Sequence, residues 1–319
     1  MTYAMTRHFL AAPLRLAATA LPIVLIACGN GAPEADPDAD AAAIAGPVSE
    51  RVSPEPAAPV QAPTLAEALE TGQADLTFFF VPSSGFAYRD DDGRLTGVTV
   101  ELLRDFARHV QETQDVRVQV TWVEEELWAD FYGYVRDSRG GVFGIGNVTI
   151  TEARGEELDF SPPYMQNIAV LVTHEDVPEL GSIADIGAAF ADLVALRYPG
   201  TLHEARLEEI RDEHFPAMRF QPVASNDELV SRLASGPESF GYIDIYNFWR
   251  AREAGQPLRR HPAGDDAAET FGVILPDNSD WTPVITAFFE EIGGAEGPRV
   301  AALLRAHLGD ELAGLLSGG

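Results

Sequence analysis

The sequence predicts an α/β protein of two lobes, each a mainly parallel sheet flanked by helices and joined by a two-segment hinge. Three observations carry this. Between Asp75 and Asn147, apolar strand-like runs alternate with amphipathic helical runs in the order β-α-β-α-β, which implies right-handed crossovers and parallel pairing. After the apolar run Ile168–Thr173 the same alternation restarts. The C-terminal remainder holds one strand, FGVILP, and two helices, with no parallel unit of its own. Returning that remainder to the first lobe makes the chain cross between lobes twice, near Val170–His174 and near Pro262–Thr270. Two crossings make a hinge, and a cleft between hinged lobes is a common place for a small ligand.

The elements follow in order. Met1 to Arg15 carries Arg7 and Arg15 and no acid, and leads into the apolar run Leu16–Ala27. That run is shorter than the ~20 residues a membrane span needs, and reads as the hydrophobic stretch of a secretory signal. It ends in Leu25-Ile26-Ala27-Cys28, which resembles the bacterial lipobox, and Cys28 is the single cysteine of the chain. The resemblance implies a lipid anchor on Cys28, and a single cysteine allows no intrachain disulfide. Gly29 to Pro63 is dominated by Ala, Pro, Asp and Glu, with no aromatic residue or apolar periodicity, and reads as an unstructured tether.

From Thr64 the spacing predicts a helix at Leu65–Glu70, a strand at Asp75–Val81, a turn-rich loop, and a helix over Val100–Gln111 with Leu102, Leu103, Phe106 and Val110 on one face. A strand at Val116–Val123, a helix near Glu125–Val135 and a strand at Val142–Asn147 complete the first run. The second run reads as the helix SIADIGAAF, the strand LVALRY, a helix after Gly200-Thr201, the strand MRFQPV, a helix at Asp227–Ala234, the strand FGYI and a helix at Ile245–Glu253. Ser225 and Glu228 have capping-box spacing. Helices at Trp281–Ile292 and Pro298–Leu308 follow the last strand. The expected division is residues 1–28 signal, 29–63 tether, 64–171 and 267–319 first lobe, 172–266 second lobe.

Fifty acids against 22 basic residues, all of them Arg, give a formal charge of −28. Such a surface repels nucleic acid and anionic lipid head groups, so no nucleic-acid partner is expected. Salt would screen the self-repulsion, since the Debye length falls to about 3 Å at 1 M. A salt-rich habitat is one explanation of this acidic, halophilic-type surface; GC-rich codon usage equally explains the missing Lys.

Motifs for catalysis are absent. The seven histidines show no HExxH and no metal-ligand spacing, and Gly144-Ile145-Gly146 imitates only part of a dinucleotide fingerprint. The reading is therefore of a non-enzyme with no cofactor and no metal. Arg154, one turn beyond a strand ending near Thr149, has two readings: a guanidinium fork for a carboxylate, or a surface charge paired with Glu156, Glu157 or Asp159.

The run Thr149-Ile150-Thr151-Glu152-Ala153-Arg154, followed by Leu158-Asp159-Phe160-Ser161-Pro162-Pro163-Tyr164, resembles the signature of periplasmic solute-binding proteins of the polar amino-acid family, extracellular family 3. Phe86-Ala87-Tyr88 with Gly93-Arg94-Leu95-Thr96-Gly97, and Gly200-Thr201 in the second lobe, resemble it too. The likeness spans about Asp75 to Leu308 and implies the type 2 periplasmic-binding-protein fold. It assigns the ligand's α-carboxylate to Arg154, assisted by Thr149 and Thr201, and the α-amino group to Asp244, which closes the Gly241-Tyr242-Ile243-Asp244 strand end. Phe86 and Tyr88 are the expected aromatic walls, with Trp128 and Trp249 in the core. Thr201 and Asp244 also stand where helices begin, so each could be a helix cap. Four positions depart from the family pattern: Glu152-Ala153 stands for Pro-Glu, Thr99 for a common Asp, and Asn147 for a small residue.

The resemblance implies an extracytoplasmic, lipid-anchored protein that captures a small polar ligand, such as an amino acid, for the permease of an ABC importer. Two other functions use the same fold: a sensing or envelope-regulatory module, and an enzyme resembling cyclohexadienyl dehydratase.

Overall fold

The computed structural model describes residues 46–55 and 57–316. The expected signal and Cys28 lie outside the described residues. The first run of elements is β1 (Ser49–Val52), α1 (Leu65–Thr71), β2 (Gln73–Phe80), the small hairpin β3 (Tyr88–Arg89) and β4 (Leu95–Thr96), α2 (Val98–Gln114), β5 (Arg117–Glu124), α3 (Trp128–Asp137) and β6 (Val142–Thr149). Then come α4 (Glu152–Gly155), β7 (Leu158–Phe160), β8 (Met165–His174), α5 (Ile186–Ala189), β9 (Val194–Arg197), α6 (Leu202–His214), β10 (Arg219–Pro222), α7 (Asn226–Ala234), β11 (Ser239–Asp244), α8 (Ile245–Glu253) and β12 (Leu258–Arg260). The chain returns through β13 (Asp266–Pro276), α9 (Thr282–Ile292), α10 (Pro298–Leu308) and α11 (Asp310–Leu316).

The fold is α/β, with a mixed sheet flanked by helices. The strands run β1-β5-β2-β6-β13-β8-β11-β9-β10, with β7 beside β13 and β12 beside β8. Pairing is parallel from β1 to β6 and again from β11 to β10, and antiparallel where β13 and β8 join the two halves. Residues of β2 such as Phe78, Phe79 and Phe80 are buried on both faces, as expected of a sheet covered by helices. The stripe Leu102, Leu103, Phe106 and Val110 of α2 is buried against it.

The crossing is made by two long strands. Met165 to Ala169 of β8 pair with β13, Asn167 with Glu269 and Ala169 with Asp266, and Ala169 onward pairs with β11, so the chain changes partners at Ala169. The β13 side has a register irregularity between Asp266 and Glu269. A second core, including Leu171, Phe190, Leu207, Phe215 and Phe240, sits on the far side of that crossing.

The tether expected over 29–63 stops short of its predicted end. Ser49–Val52 is a fully exposed edge strand in parallel register with β5, and Glu50 takes hydrogen bonds from Arg104 Nε at 3.0 Å and Trp122 Nε1 at 3.0 Å. Further on, Ala62 N donates to Arg139 O and Gly141 N to Pro63 O. Backbone ladders, one anchored carboxylate and the side chains of Val48, Ala57, Val60 and Ala62 laid against the core order this segment; a compositional reading is blind to such pairing with distant parts of the chain.

Local irregularities serve packing. Gly97 has φ 126°, and a Cβ there would lie 2.2 Å from Phe86 O. The neighbouring Thr99 hydroxyl donates to the same oxygen at 2.8 Å, which is why a buried Thr fits where the family often has Asp. The run Ser161 to Tyr164 is stitched to β13, Ser161 Oγ accepting from Val273 N and Tyr164 N donating to Phe271 O.

Candidate functional site

The C-terminal ends of β2 and β6 from one lobe face those of β9 and β11 from the other, the crevice position typical of open α/β sheets. Between them lies a cavity of about 370 Å³. One wall carries Ser83, Trp128, Asn147, Thr149 and Arg154; the other carries Tyr198, Thr201, His203, Asn226, Asp244 and Tyr246. The first turns of α6, α7 and α8 all open on it, each offering backbone N–H groups and the positive end of a helix dipole.

Arg154 lies in the single turn of the short α4, whose N-cap is Thr151: the Thr151 hydroxyl accepts from Arg154 N at 3.2 Å. The guanidinium donates to Thr149 O at 3.0 Å and lies over the rings of Trp128, 4.9 Å from the centroid, and Tyr132, 5.7 Å away. The surface reading does not match its surroundings. Glu157 is near Arg136 and Tyr132, while Asp159 accepts from Ser279 N and Thr282 Oγ1. No carboxylate among the described residues pairs with Arg154. Burial, the largest influence on it, pulls its pKa below the ordinary arginine value. The side chain has shed water and taken a carbonyl and two aromatic faces in exchange.

Trp128 is held for this role. Its Nε1 donates to Gly146 O at 3.1 Å, and Phe131, one turn on, lies on the strand where a Cβ at Gly146 would meet it at 2.6 Å. The glycines that imitated a nucleotide fingerprint are thus a seat for α3. The expectation that Trp128 belongs to the core gave only half its role, since it is 8% exposed and lines the cavity. Trp249 packs against the core as expected.

Thr149 and Asp244 line opposite walls, each 7% exposed. Thr201 also lines the cavity, but its hydroxyl is occupied: it donates to Tyr198 O at 2.7 Å and accepts from Glu204 N at 3.4 Å, as a helix cap. Asp244 occupies the N-cap position of α8 without a side-chain cap bond. Its carboxylate instead accepts from Asn167 Nδ2 at 2.5 Å and lies 3.4 Å from His203 Nε2.

The two expected aromatic walls are not there. Phe86 is 1% exposed and packs behind Tyr246 at 4.6 Å between ring centroids. Tyr88 hydrogen-bonds His307 Nδ1 at 3.1 Å and lines a smaller neighbouring hollow with Arg89 and Glu124. The sharp turn at Gly85, φ 84°, and the β3–β4 hairpin aim these rings away from the cleft. Trp128, Tyr198 and Tyr246 take their place. Asn147, an oddity in the sequence, has φ 52° and spans the cleft: Nδ2 donates to Tyr246 OH at 2.8 Å, and Oδ1 accepts from Tyr164 OH at 2.9 Å. A small residue could make neither bond. Burial first, then the charge of Asp244, raises the Tyr246 pKa, so the phenol stays protonated.

Solved structures resemble this one at low identity. An ancestral arginine-binding protein bound to arginine superposes with a TM-score of 0.60 at 17% identity, over 74% of this chain and 98% of that one. The arginine-, lysine-, histidine-binding protein ArtJ from Geobacillus stearothermophilus gives 0.58 at 15%, over 74% and 96%. The ancestral amino acid-binding protein AncCDT-1, a precursor of cyclohexadienyl dehydratase, gives 0.59 at 18%, over 76% and 99%. No curated protein matches the chain. These likenesses establish the fold, while residues 76–293, most of the chain and nearly all of the cleft, match the model of bacterial extracellular solute-binding proteins, family 3, and the chain belongs to that family.

Proposed function

We propose that this solute-binding protein captures a free amino acid in the inter-lobe cleft and delivers it to the permease of an ABC importer, held at the membrane by a lipid on Cys28. The observation that carries the ligand class is Arg154: an arginine with no carboxylate partner among the described residues, partly buried over Trp128, in a cavity whose other wall holds Asp244. A carboxylate would complete the first and an ammonium the second. The cavity is of a size to enclose one amino acid, and the relatives whose descriptions name arginine, lysine or histidine as ligands support the same class. Glu126 and Asp227, exposed carboxylates at the cavity, oppose a second anionic group on the ligand.

Binding drives closure through bridging. A ligand held by Arg154 and Thr149 on one wall, and by Asp244 and the first-turn N–H groups behind Thr201 on the other, has full affinity only when the lobes meet. That difference in affinity is what shifts the equilibrium. Proteins of this family are extracytoplasmic, and among the described residues no helix is long and apolar enough to cross a membrane. A lipid on Cys28 would then supply the attachment.

The test is a thermal-shift screen of the standard L-amino acids at low and high salt, with Arg154→Ala beside the parent. A rise in melting temperature with at least one amino acid, lost in the variant, is expected. No rise with any would refute the ligand class, and conversion of prephenate or arogenate would move the assignment to an enzyme.

A further inference from the structure

We propose that Asn167 is a positioning residue for the ammonium subsite, its one amide fixing the Asp244 carboxylate to the hinge. The inference rests on the reading of Asp244 as the group that meets the ligand's amine.

Asn167 stands two residues before the point where β8 changes partners: it pairs with Glu269 on β13, and Ala169 pairs with both Asp266 on β13 and Asp244 on β11. It is 1% exposed, and its Nδ2 donates to Asp244 Oδ1 at 2.5 Å and to Glu269 Oε2 at 2.6 Å. Its Oδ1 is buried without a hydrogen-bond partner among the described residues. Turning the amide over would satisfy nothing and would press an oxygen against two carboxylates, so its orientation is determined.

From Glu269 the network continues. Arg206 of α6 pairs with Glu269, donates to Asp266 Oδ2 at 2.9 Å, and sets Nη1 3.1 Å from His203 Nδ1. An arginine can only donate, so His203 Nδ1 accepts and its N–H is the Nε2 facing Asp244. The ring Asp244–Asn167–Glu269–Arg206–His203 thus joins both crossing strands to the second lobe. Within it the guanidinium is committed to Glu269 and Asp266. Among the described residues the partners of Asp244 are neutral: an amide, an imidazole and the nearby Tyr246 phenol. A buried carboxylate so placed retains its appetite for a cation, and its direction is set by the amide at the hinge. Without Asn167, Asp244 and Glu269 would share a buried space with no donor between them, and their repulsion would turn the Asp244 carboxylate from its present direction.

The experiment is titration calorimetry on the intact protein with the best-binding standard L-amino acid and the same molecule lacking its amino group, for example L-arginine against 5-guanidinopentanoate or L-glutamine against glutaramate. Asn167→Ala is expected to weaken the amino acid roughly 10- to 100-fold, the range for a hydrogen bond to a charged group, and to leave the des-amino analogue nearly unchanged. In an Asp244→Asn background the same substitution should not alter the ratio further. Equal loss for both ligands, or additive effects in the double variant, would overturn the assignment. If circular dichroism shows Asn167→Ala unfolded, Asn167→Ser carries the same test. Failure of the parent to bind any amino acid overturns the underlying reading and this one with it, whereas a parent that binds and an Asn167 variant that keeps its selectivity overturns this one alone.

Discussion

The guanidinium of Arg154 lies 4.9 Å from the centre of the Trp128 ring, and the two residues come from different elements that the sheet brings together at one cleft mouth. The aromatic face takes one side of the cation, and Thr149 O takes one N–H, which leaves the other donors of the fork for a ligand. Arg154→Lys keeps the charge and loses the fork, so calorimetry should show affinity for the ligand's carboxylate falling roughly 10- to 100-fold. Trp128→Leu should cost less, a few-fold to about 30-fold, the range of a partly desolvated cation–π contact. Trp128→Leu binding as tightly as the parent would sink the pairing.

Thr201 and Asp244 should separate cleanly. Thr201→Ala removes a cap whose hydroxyl is already used within α6, so it should lower stability by about 1 kcal/mol, a melting shift of a few degrees. Asp244→Asn removes no cap bond, and an amide can still accept from Asn167. Its melting temperature should stay level or rise, since a buried charge is gone, while amino-acid affinity falls roughly 10- to 100-fold. Differential scanning calorimetry with and without ligand distinguishes the two patterns.

His261 should make the fold acid-sensitive. Thr173 Oγ1 donates to His174 O, so His261 Nε2 donates to that hydroxyl at 2.8 Å, and Leu180 N donates to His261 Nδ1 at 3.0 Å; the ring is fully buried and neutral. Burial, helped by nearby Arg259, lowers its pKa to about 4 from 6.5. The native state therefore resists a proton that the unfolded chain accepts. Stability from this group is complete above pH 6.5 and declines as pH falls from there toward 4, by up to about 3 kcal/mol. Melting curves from pH 7.5 to 4.5 should show a shallower decline for His261→Gln, and equal slopes would refute this.

The N-terminal edge strand is tested through Glu50. Glu50→Ala removes the acceptor for Arg104 and the Trp122 indole, and should release β1. Limited proteolysis should then cut between residues 46 and 63 at least several-fold faster than in the parent, with the rest of the domain intact. Cleavage at the same rate in both would favour the unstructured tether expected from composition.

Much of the fold was legible because strands and helices announce themselves by local periodicity. Alternation predicted both parallel runs and the return of the C-terminal strand, although β1 and β12 were missed: each is short, and their order comes from pairing with a strand distant in sequence. The residues expected to bind stood at strand ends and helix starts, and in a parallel α/β sheet those positions gather at one rim. Arg154, Thr149, Thr201 and Asp244 are brought together there.

What the sequence by itself determined was therefore the order of elements within the two parallel runs and, through its family resemblance, the charged pair that lines opposite walls of the cleft. Only the tertiary structure decided which aromatic rings form the walls, and that Asn167, Glu269, Arg206 and His203 surround Asp244. A ring's direction depends on the turn that carries it, as Gly85 and the hairpin show for Phe86 and Tyr88. A buried polar ring requires four separate elements to converge, which no window of neighbouring residues records.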